Sequence, residues 1–450
     1  MKQAHRLSRR LMQTVVYGGA IAATTTLCFL SSPLRSPAAQ SAFQDSPKAV
    51  LDEAWQIVNR EYVDTNFNQV DWQAARQVLL SREYSSTQQA YAALREQLKL
   101  LGDPYTRFMD PEQYQALTNQ TSGELSGVGI RLQVDPNTKI LTVVEPIENS
   151  PASEAGIQTG DRIMAIDGKT TQGMTVEEAS RLIQGEVGTR ITLSIERGTS
   201  AATDMLLTRA RIEVPNVSSS IKQEGNAKIG YIRLTEFSSH APAQMRRAIQ
   251  RLLDQQVQGF VLDLRNNPGG LLHASVEIAR MWVDSGSIVR QVDRVGDSTE
   301  LAANQTALTD LPLTVLVNGN SASSSEILTG ALMDNHRATV VGSQTFGKAL
   351  VQSVHPLSDG SGLAVTVAHY YTPAGTDISH RGITPDIRVD LTEQQQLAFS
   401  VNQSLVATPS DPQYAEAVRS LQSTLALSNT RGTASSQVNL VRQVGDRPSN

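Results

Sequence analysis

The chain has 450 residues, 40% of them hydrophobic and 18% charged, with a formal net charge of −5. This is an ordinary globular composition, long enough for two or three domains, and unlike that of a disordered, collagenous or disulfide-framed protein. The seven histidines show no His-x-x-x-His or His-x-His spacing, which argues against a metal site; neither metal nor cofactor is expected, and the acidic balance disfavours nucleic acid as a partner.

The first forty residues differ from the rest. Lys2, Arg6, Arg9 and Arg10 form a basic start, an apolar run spans about Val15 to Leu30, and Ser36-Pro37-Ala38-Ala39 follows, with no acidic residue before Asp45. Residues 1–40 therefore read as a secretory signal or, if uncleaved, an N-terminal anchor that would be the chain's membrane contact. Ser8-Arg9-Arg10 also suits twin-arginine export, although Met12 and Gln13 depart from that signal's apolar pair. Cys28, the single cysteine, lies inside this segment. Its removal leaves no disulfide, thiol nucleophile or Cys-based zinc site. Loss of the five basic residues up to Arg35 would take the formal charge from −5 to −10.

Ser46-Pro47 offers an N-cap followed by proline at the first helical position. Val50, Leu51, Ala54, Trp55, Val58 and Tyr62 then recur at helical spacing, with further helices expected at about Trp72–Leu80 and Thr87–Leu101. Leu101-Gly102-Asp103-Pro104 ends a helical domain over residues 46–118, in which Trp55, Trp72 and Phe108 are core residues. Residues 119–213 read as short strands, glycine turns and a helix from about Thr175 to Ile183. Residues 214–394 alternate strands (Ile229–Leu234, Phe260–Leu264, Leu313–Val317) with helices (about Ala241–Leu253 and Leu272–Val283), and Thr339–Val341 and Leu363–Tyr371 add strands. That alternation predicts an α/β core with a largely parallel sheet. Residues 395–450 form a polar extension, expected to be disordered past about residue 428.

The chemistry concentrates in Asn318-Gly319-Asn320-Ser321-Ala322-Ser323-Ser324-Ser325-Glu326, between the strand Leu313–Val317 and a helical run from Ser325 to Met333. A nucleophile there sits at a helix N-terminus, where unpaired N–H groups favour developing negative charge. Residues alone leave open which serine acts, since serines commonly cap helices at such boundaries; Glu326 reads as an acidic first-turn residue complementing the dipole. Lys348 and Gln352, four apart, share a face in helix or strand. A lysine serves as base only when burial lowers its pKa, which Phe346, Leu350 and Val351 would favour. A Ser–His–Asp triad drawn from His336, His355, His369 or His380 with Asp334, Asp359 or Asp377 is the competing design, without a recognisable histidine motif.

Ser321-Ala322-Ser323-Ser324-Ser325-Glu326, Thr345-Phe346-Gly347-Lys348 with Gln352, and Asp263-Leu264-Arg265-Asn266-Asn267-Pro268-Gly269-Gly270 together resemble the C-terminal processing peptidases, or tail-specific proteases, from about Ala49 to Val389. The resemblance implies Ser323 as nucleophile, Lys348 as general base, Gln352 as its orienter, and backbone N–H groups of Gly269 and Ser324 as oxyanion donors. Two positions depart from the family pattern: Ser324 where alanine is usual and Ala349 where glycine is usual, the latter costly if positive φ is required. Ser126-Gly127-Val128-Gly129, Ser150-Pro151-Ala152-Ser153-Glu154-Ala155-Gly156-Ile157 and Gly160-Asp161-Arg162-Ile163 resemble a PDZ domain, implying that Ser126, Gly127, Val128 and Gly129 receive a peptide's terminal carboxylate. Ile57–Asp64 and the Leu101–Phe108 connector look like the cyanobacterial and chloroplast members, which mature a photosystem II reaction-centre precursor in the thylakoid lumen. The implied architecture is a helical domain, an inserted PDZ domain and an α/β Ser-Lys protease core. The implied enzyme is an exported serine endopeptidase of periplasm or thylakoid lumen, acting on proteins with free, flexible, apolar C-terminal tails. A degradative tail-specific protease, a catalytically silent PDZ adaptor, and a lipid or retinoid carrier on a related core are the alternatives; a silent adaptor or carrier would not need the retained serine and lysine.

Overall fold

The computed structural model describes residues 46–135 and 138–427; the expected signal segment with Cys28 and the expected disordered stretch past residue 428 lie outside them. Three helices, Pro47–Glu61, Trp72–Ser81 and Thr87–Lys99, open the described chain. Asp71 caps the second by accepting from Ala74 N at 2.9 Å. Trp55 Nε1 donates to the Trp72 carbonyl at 2.7 Å and Trp72 Nε1 returns a 3.3 Å bond to the Trp55 carbonyl. Two large rings are thus buried with their polar atoms satisfied.

This helical layer completes its core with Leu357, Leu363 and Val365 from the catalytic region. The connector turns at Gly102 (φ +65°), and its strand Arg107–Met109 pairs antiparallel with Gly362–Ala364. The helix Pro111–Ser122 follows, so the 118/119 boundary expected from the sequence falls inside it. Its Asp110 cap and Gln113 bond reciprocally, and Gly123 ends it in the left-handed region.

The next unit is a five-stranded antiparallel sheet, Ile130–Val134, Leu141–Pro146, Arg162–Ile166, Arg190–Glu196 and Thr203–Thr208, extended by Lys169–Thr170. The helix Val176–Ile183 closes over it through Ala179 and Ile183. Both chain passages into and out of this unit form one two-stranded ribbon, Glu124–Gly127 against Ala210–Glu213.

The core sheet runs Val217–Glu224, Ala227–Leu234, Gly259–Asp263, Leu313–Val317, Thr339–Gly342, Ile387–Arg388, with only the first pair antiparallel. Its central strands are buried on both faces, which explains their unbroken apolar runs. Alternation splits them: Ile232, Leu262 and Val315 face one cluster, while Tyr231, Val261 and Leu316 face the other. The second face is covered by residues the composition marked as a polar extension. Residues 412–427 are helical, and Tyr414, Ala417, Val418 and Leu421 pack against the sheet.

A buried ion cluster ties that segment to the sheet. Arg265 donates to Asp263 at 2.7 Å and to Asp411 at 2.8 Å, and both carboxylates are fully buried. Removing one partner leaves an uncompensated buried charge. Asp411→Ala is therefore expected to cost about 3–5 kcal/mol in urea unfolding; a loss under about 1 kcal/mol would mean the cluster is dispensable.

Candidate active site

The strand Leu313–Val317 leads through Asn318–Ala322 into the helix Ser324–Asp334. Ser323, between them, has φ +54° and ψ −113°, a conformation that costs a non-glycine residue about 1–3 kcal/mol and persists only when its surroundings fix it. They do. Ser321 Oγ donates to Leu264 O, Ser324 Oγ to Gly270 O and Ser325 Oγ to Asn267 O, all at 2.9 Å. Three of the four serines thus staple the turn to the Leu264–Gly270 segment, and Ser323 is the one without such a task.

Glu326 is completely buried. Its carboxylate accepts from Ser323 N (2.9 Å), Lys348 N (2.9 Å), Gly347 N (2.7 Å) and Thr345 Oγ1 (2.6 Å). Burial pushes its pKa up while these bonds oppose the rise. Read from sequence it is a first-turn acidic residue complementing the dipole; the structure adds that it joins the serine turn to the lysine loop. The Tyr370 hydroxyl makes a second bridge, lying against the carbonyl oxygens of Ser323 (3.1 Å) and Lys348.

Lys348 Nζ sits 4.7 Å from the centre of the Tyr105 ring. Burial, then the nearby Arg107 charge, pushes the amine down to about 8, against the opposing pull of Asp103 and Glu326. Asp103 accepts from Tyr105 N at 2.9 Å and from the Thr106 and Thr366 hydroxyls at 2.7 Å each, which sets the ring beside the amine.

Ser323, Ser324, Lys348, Gln352 and Arg107 line one cavity of about 240 Å³. The Gln352 amide donates to Thr366 Oγ1 at 3.4 Å, so its recorded partner is the threonine held by Asp103. No hydrogen bond among the described residues engages the Ser324 N–H, at the first turn of its helix. Gly269 packs behind Ser323 with φ +108°, where a Cβ would lie 2.8 Å from Ala322 O; its N–H is engaged by Asn267 Oδ1 at 2.9 Å. Ala349 lies outside the positive-φ positions, whereas Gly347 (φ +91°) needs its missing Cβ, so alanine after the lysine brings no strain. No histidine lines the cavity. His336, His369 and His380 are exposed and His355 pairs with Glu61 at 2.8 Å. Among the described residues no cluster of three metal-ligating side chains occurs.

Ser126–Gly129 lies elsewhere, at the mouth of the five-stranded unit. Ser126 Oγ contacts the Gly185 carbonyl, Gly127 abuts Ile183, and the Val128 carbonyl accepts from Ala152 N at 2.9 Å. Gly129 takes φ +78° against Ser150. The following strand, Ile130–Val134, pairs only with Leu141–Pro146 among the described residues, leaving an edge beside the helix Val176–Ile183.

Residues 228–389 match peptidase family S41 and residues 142–197 match a PDZ domain. A carboxyl-terminal-processing protease of Synechocystis sp. is 42% identical over 390 residues, 86% of this chain and 90% of that protein. The chain belongs to peptidase family S41. The chloroplastic carboxyl-terminal-processing peptidase 2 of Arabidopsis thaliana is 41% identical over 346 residues, 74% of this chain and 67% of that protein. Among solved structures, a photosystem II D1 C-terminal processing protease superposes with a TM-score of 0.51 at 36% identity, covering 82% of this chain and 99% of that one. This S41 peptidase is accordingly a carboxyl-terminal-processing serine protease carrying a PDZ domain. No helix among the described residues is long and apolar enough to cross a membrane.

Sequence reading missed the tether at Glu326, the Tyr370 bridge, and the Tyr105 and Arg107 neighbours of Lys348. The connector was noticed as a motif, but nothing in it announced an aromatic face for a residue more than 200 positions away. Glu326→Gln removes the charge that four donors share; with charge-assisted bonds at about 1.5–3 kcal/mol each, kcat/KM for tail cleavage should fall about 100-fold or more. An activity within about threefold of wild type would show that the tether does not position the site.

Proposed function

We propose that Ser323 and Lys348 form the catalytic dyad of this protease, that Gln352 steadies the lysine, and that backbone N–H groups of Gly269 and Ser324 receive the oxyanion. The carrying observation is a half-buried lysine amine, lowered to about 8, lining the same cavity as the serine whose neighbours' hydroxyls are otherwise committed. The neutral amine takes the Ser323 proton as Oγ attacks the scissile carbonyl carbon. The tetrahedral oxyanion accepts from the Ser324 N–H and from Gly269, whose N–H leaves Asn267 for the more strongly charged acceptor. Collapse breaks the C–N bond, and the lysine ammonium protonates the departing amine. Water, deprotonated by the again neutral Lys348, then hydrolyses the acyl ester and frees Ser323.

The substrate tail is captured by its free carboxylate at Ser126, Gly127, Val128 and Gly129 and pairs with the open edge of Ile130–Val134, a mode that uses the backbone of any flexible tail. The similarity to a photosystem II D1 C-terminal processing protease and to chloroplastic peptidases supports maturation of that kind of precursor, in the thylakoid lumen or periplasm.

With a substrate ending in an unstructured apolar tail, Ser323→Ala and Lys348→Ala should each lower cleavage by more than about 10³-fold, and amidating the substrate's C-terminus should strongly reduce it. Tail binding without cleavage by the wild type would favour an adaptor, and activity surviving Lys348→Ala would remove Lys348 from the role of base.

Because the neutral amine is the base, kcat/KM should rise with pH, half-maximal near the amine's value of about 8. Arg107→Met removes a repelling charge, so the rise should move to higher pH; an unmoved profile would detach it from Lys348. The folded pKa lies below the ordinary 10.5. The unfolded chain thus binds more protons between about 8 and 10.5, and the cost of burying the charge is fully present below 8. Lys348→Met is expected to raise Tm at pH 7 while abolishing cleavage; a lowered Tm would count against a desolvated lysine.

A further inference from the structure

A second cavity, of about 660 Å³, opens at the C-terminal ends of the parallel strands on the sheet face away from Ser323, under the helix Glu393–Val401. Crevices at this end of a parallel sheet are where such folds place ligands. Its volume is within the range of small-molecule sites. Arg233, Arg265 and Arg388 line it, with Asp390 as the acidic member of the wall.

Their positive charges are not equally committed. Arg265 is saturated by the sealed carboxylates of Asp263 and Asp411. Arg388 pairs with its near neighbour Asp390 at 2.7 Å, both largely exposed, an arrangement readily exchanged for another anion. Arg233, a half-buried residue, helps keep Asp263 charged from a distance, yet no hydrogen bond or ion pair among the described residues engages its guanidinium. A guanidinium on a half-buried residue, with no protein partner and lining a cavity, matches the geometry of a phosphate or carboxylate.

The cavity also touches the backs of both active-site turns. Asn266, Asn318 and Asn320 line it. Asn266 N donates to Asn318 Oδ1 at 3.0 Å, and the Asn318 and Asn320 amides donate to Asn266 Oδ1 at 2.9 Å. These bonds lace the turn that carries Gly269 to the turn that carries Ser323, so an occupant that competes for the amides acts on both.

We propose that this cavity binds a small oxyanion-bearing molecule, with Arg233 and Arg388 clasping the anion, and that occupancy alters turnover at Ser323 through the Asn266–Asn318–Asn320 lacing. The site lies outside the tail-binding and peptide-cleaving machinery, and its binding can be measured without reference to either.

The test is calorimetric titration of the full chain with inorganic phosphate and, separately, with citrate at constant ionic strength, alongside tail cleavage under the same conditions. Binding of either probe, weakened about tenfold or more by Arg233→Met and less by Arg233→Lys, supports the site; the stronger probe identifies a phosphoryl or carboxylate ligand. Arg388→Met, at an exposed position, provides the same comparison should Arg233→Met fold poorly. A change of about twofold or more in wild-type kcat with the probe, absent in the arginine variants, supports the coupling. Equal affinity in wild type and both variants, or no binding of either probe up to about 10 mM, overturns the site. Binding with unchanged kcat overturns the coupling.

Discussion

The Glu326 carboxylate is the contact on which the site's geometry rests. The serine turn and the lysine loop come from separate strands of the chain, and each carries backbone N–H groups that need an acceptor once buried. One carboxylate answers Ser323 N, Gly347 N and Lys348 N together with the Thr345 hydroxyl. A charge so deep is tolerable only because four donors surround it. The same requirement explains its precision: displacing either segment would strand a buried charge. Tyr370 repeats the link through the carbonyl oxygens of the same two residues.

That clamp allows two unfavourable features to persist side by side. Ser323 is held at positive φ, and Lys348 is held in surroundings that disfavour its charge. Each would relax in a softer setting, the serine to a helical or extended backbone and the lysine side chain to solvent. The three neighbouring serines fix the backbone, while the Gly102–Phe108 connector, braced by Asp103 against Thr366, supplies an aromatic face to the amine. Attraction from the Asp103 and Glu326 carboxylates limits how far the pKa falls.

The chain enters and leaves the PDZ domain through one ribbon, Glu124–Gly127 with Ala210–Glu213. Its base is anchored to the core, where Glu213 accepts from Gln244 at 2.8 Å and Arg247 at 3.0 Å. The core in turn depends on the C-terminal segment for its second apolar face.

Much of this was legible in the residues. Periodicity and capping located the helices to within a few positions, because an amphipathic stripe and an N-cap are local facts; Trp72–Ser81 and Thr87–Lys99 are examples. Alternating strands and helices gave the parallel sheet, and three motifs in order gave the family. Composition showed a polar extension from residue 395 but not that Tyr414, Ala417, Val418 and Leu421 cover the sheet, since a few apolar side chains signal burial only beside a face that needs covering. Which serine does not bond the Leu264–Gly270 segment, why Glu326 is fully buried, and that Tyr105 meets Lys348 are properties of hydrogen-bond partners and packing between distant segments. The chemical inventory and the local backbone preferences are written in the order of residues. Only tertiary structure decided charge state and strain, because both depend on what surrounds a group and not on what precedes it in the chain.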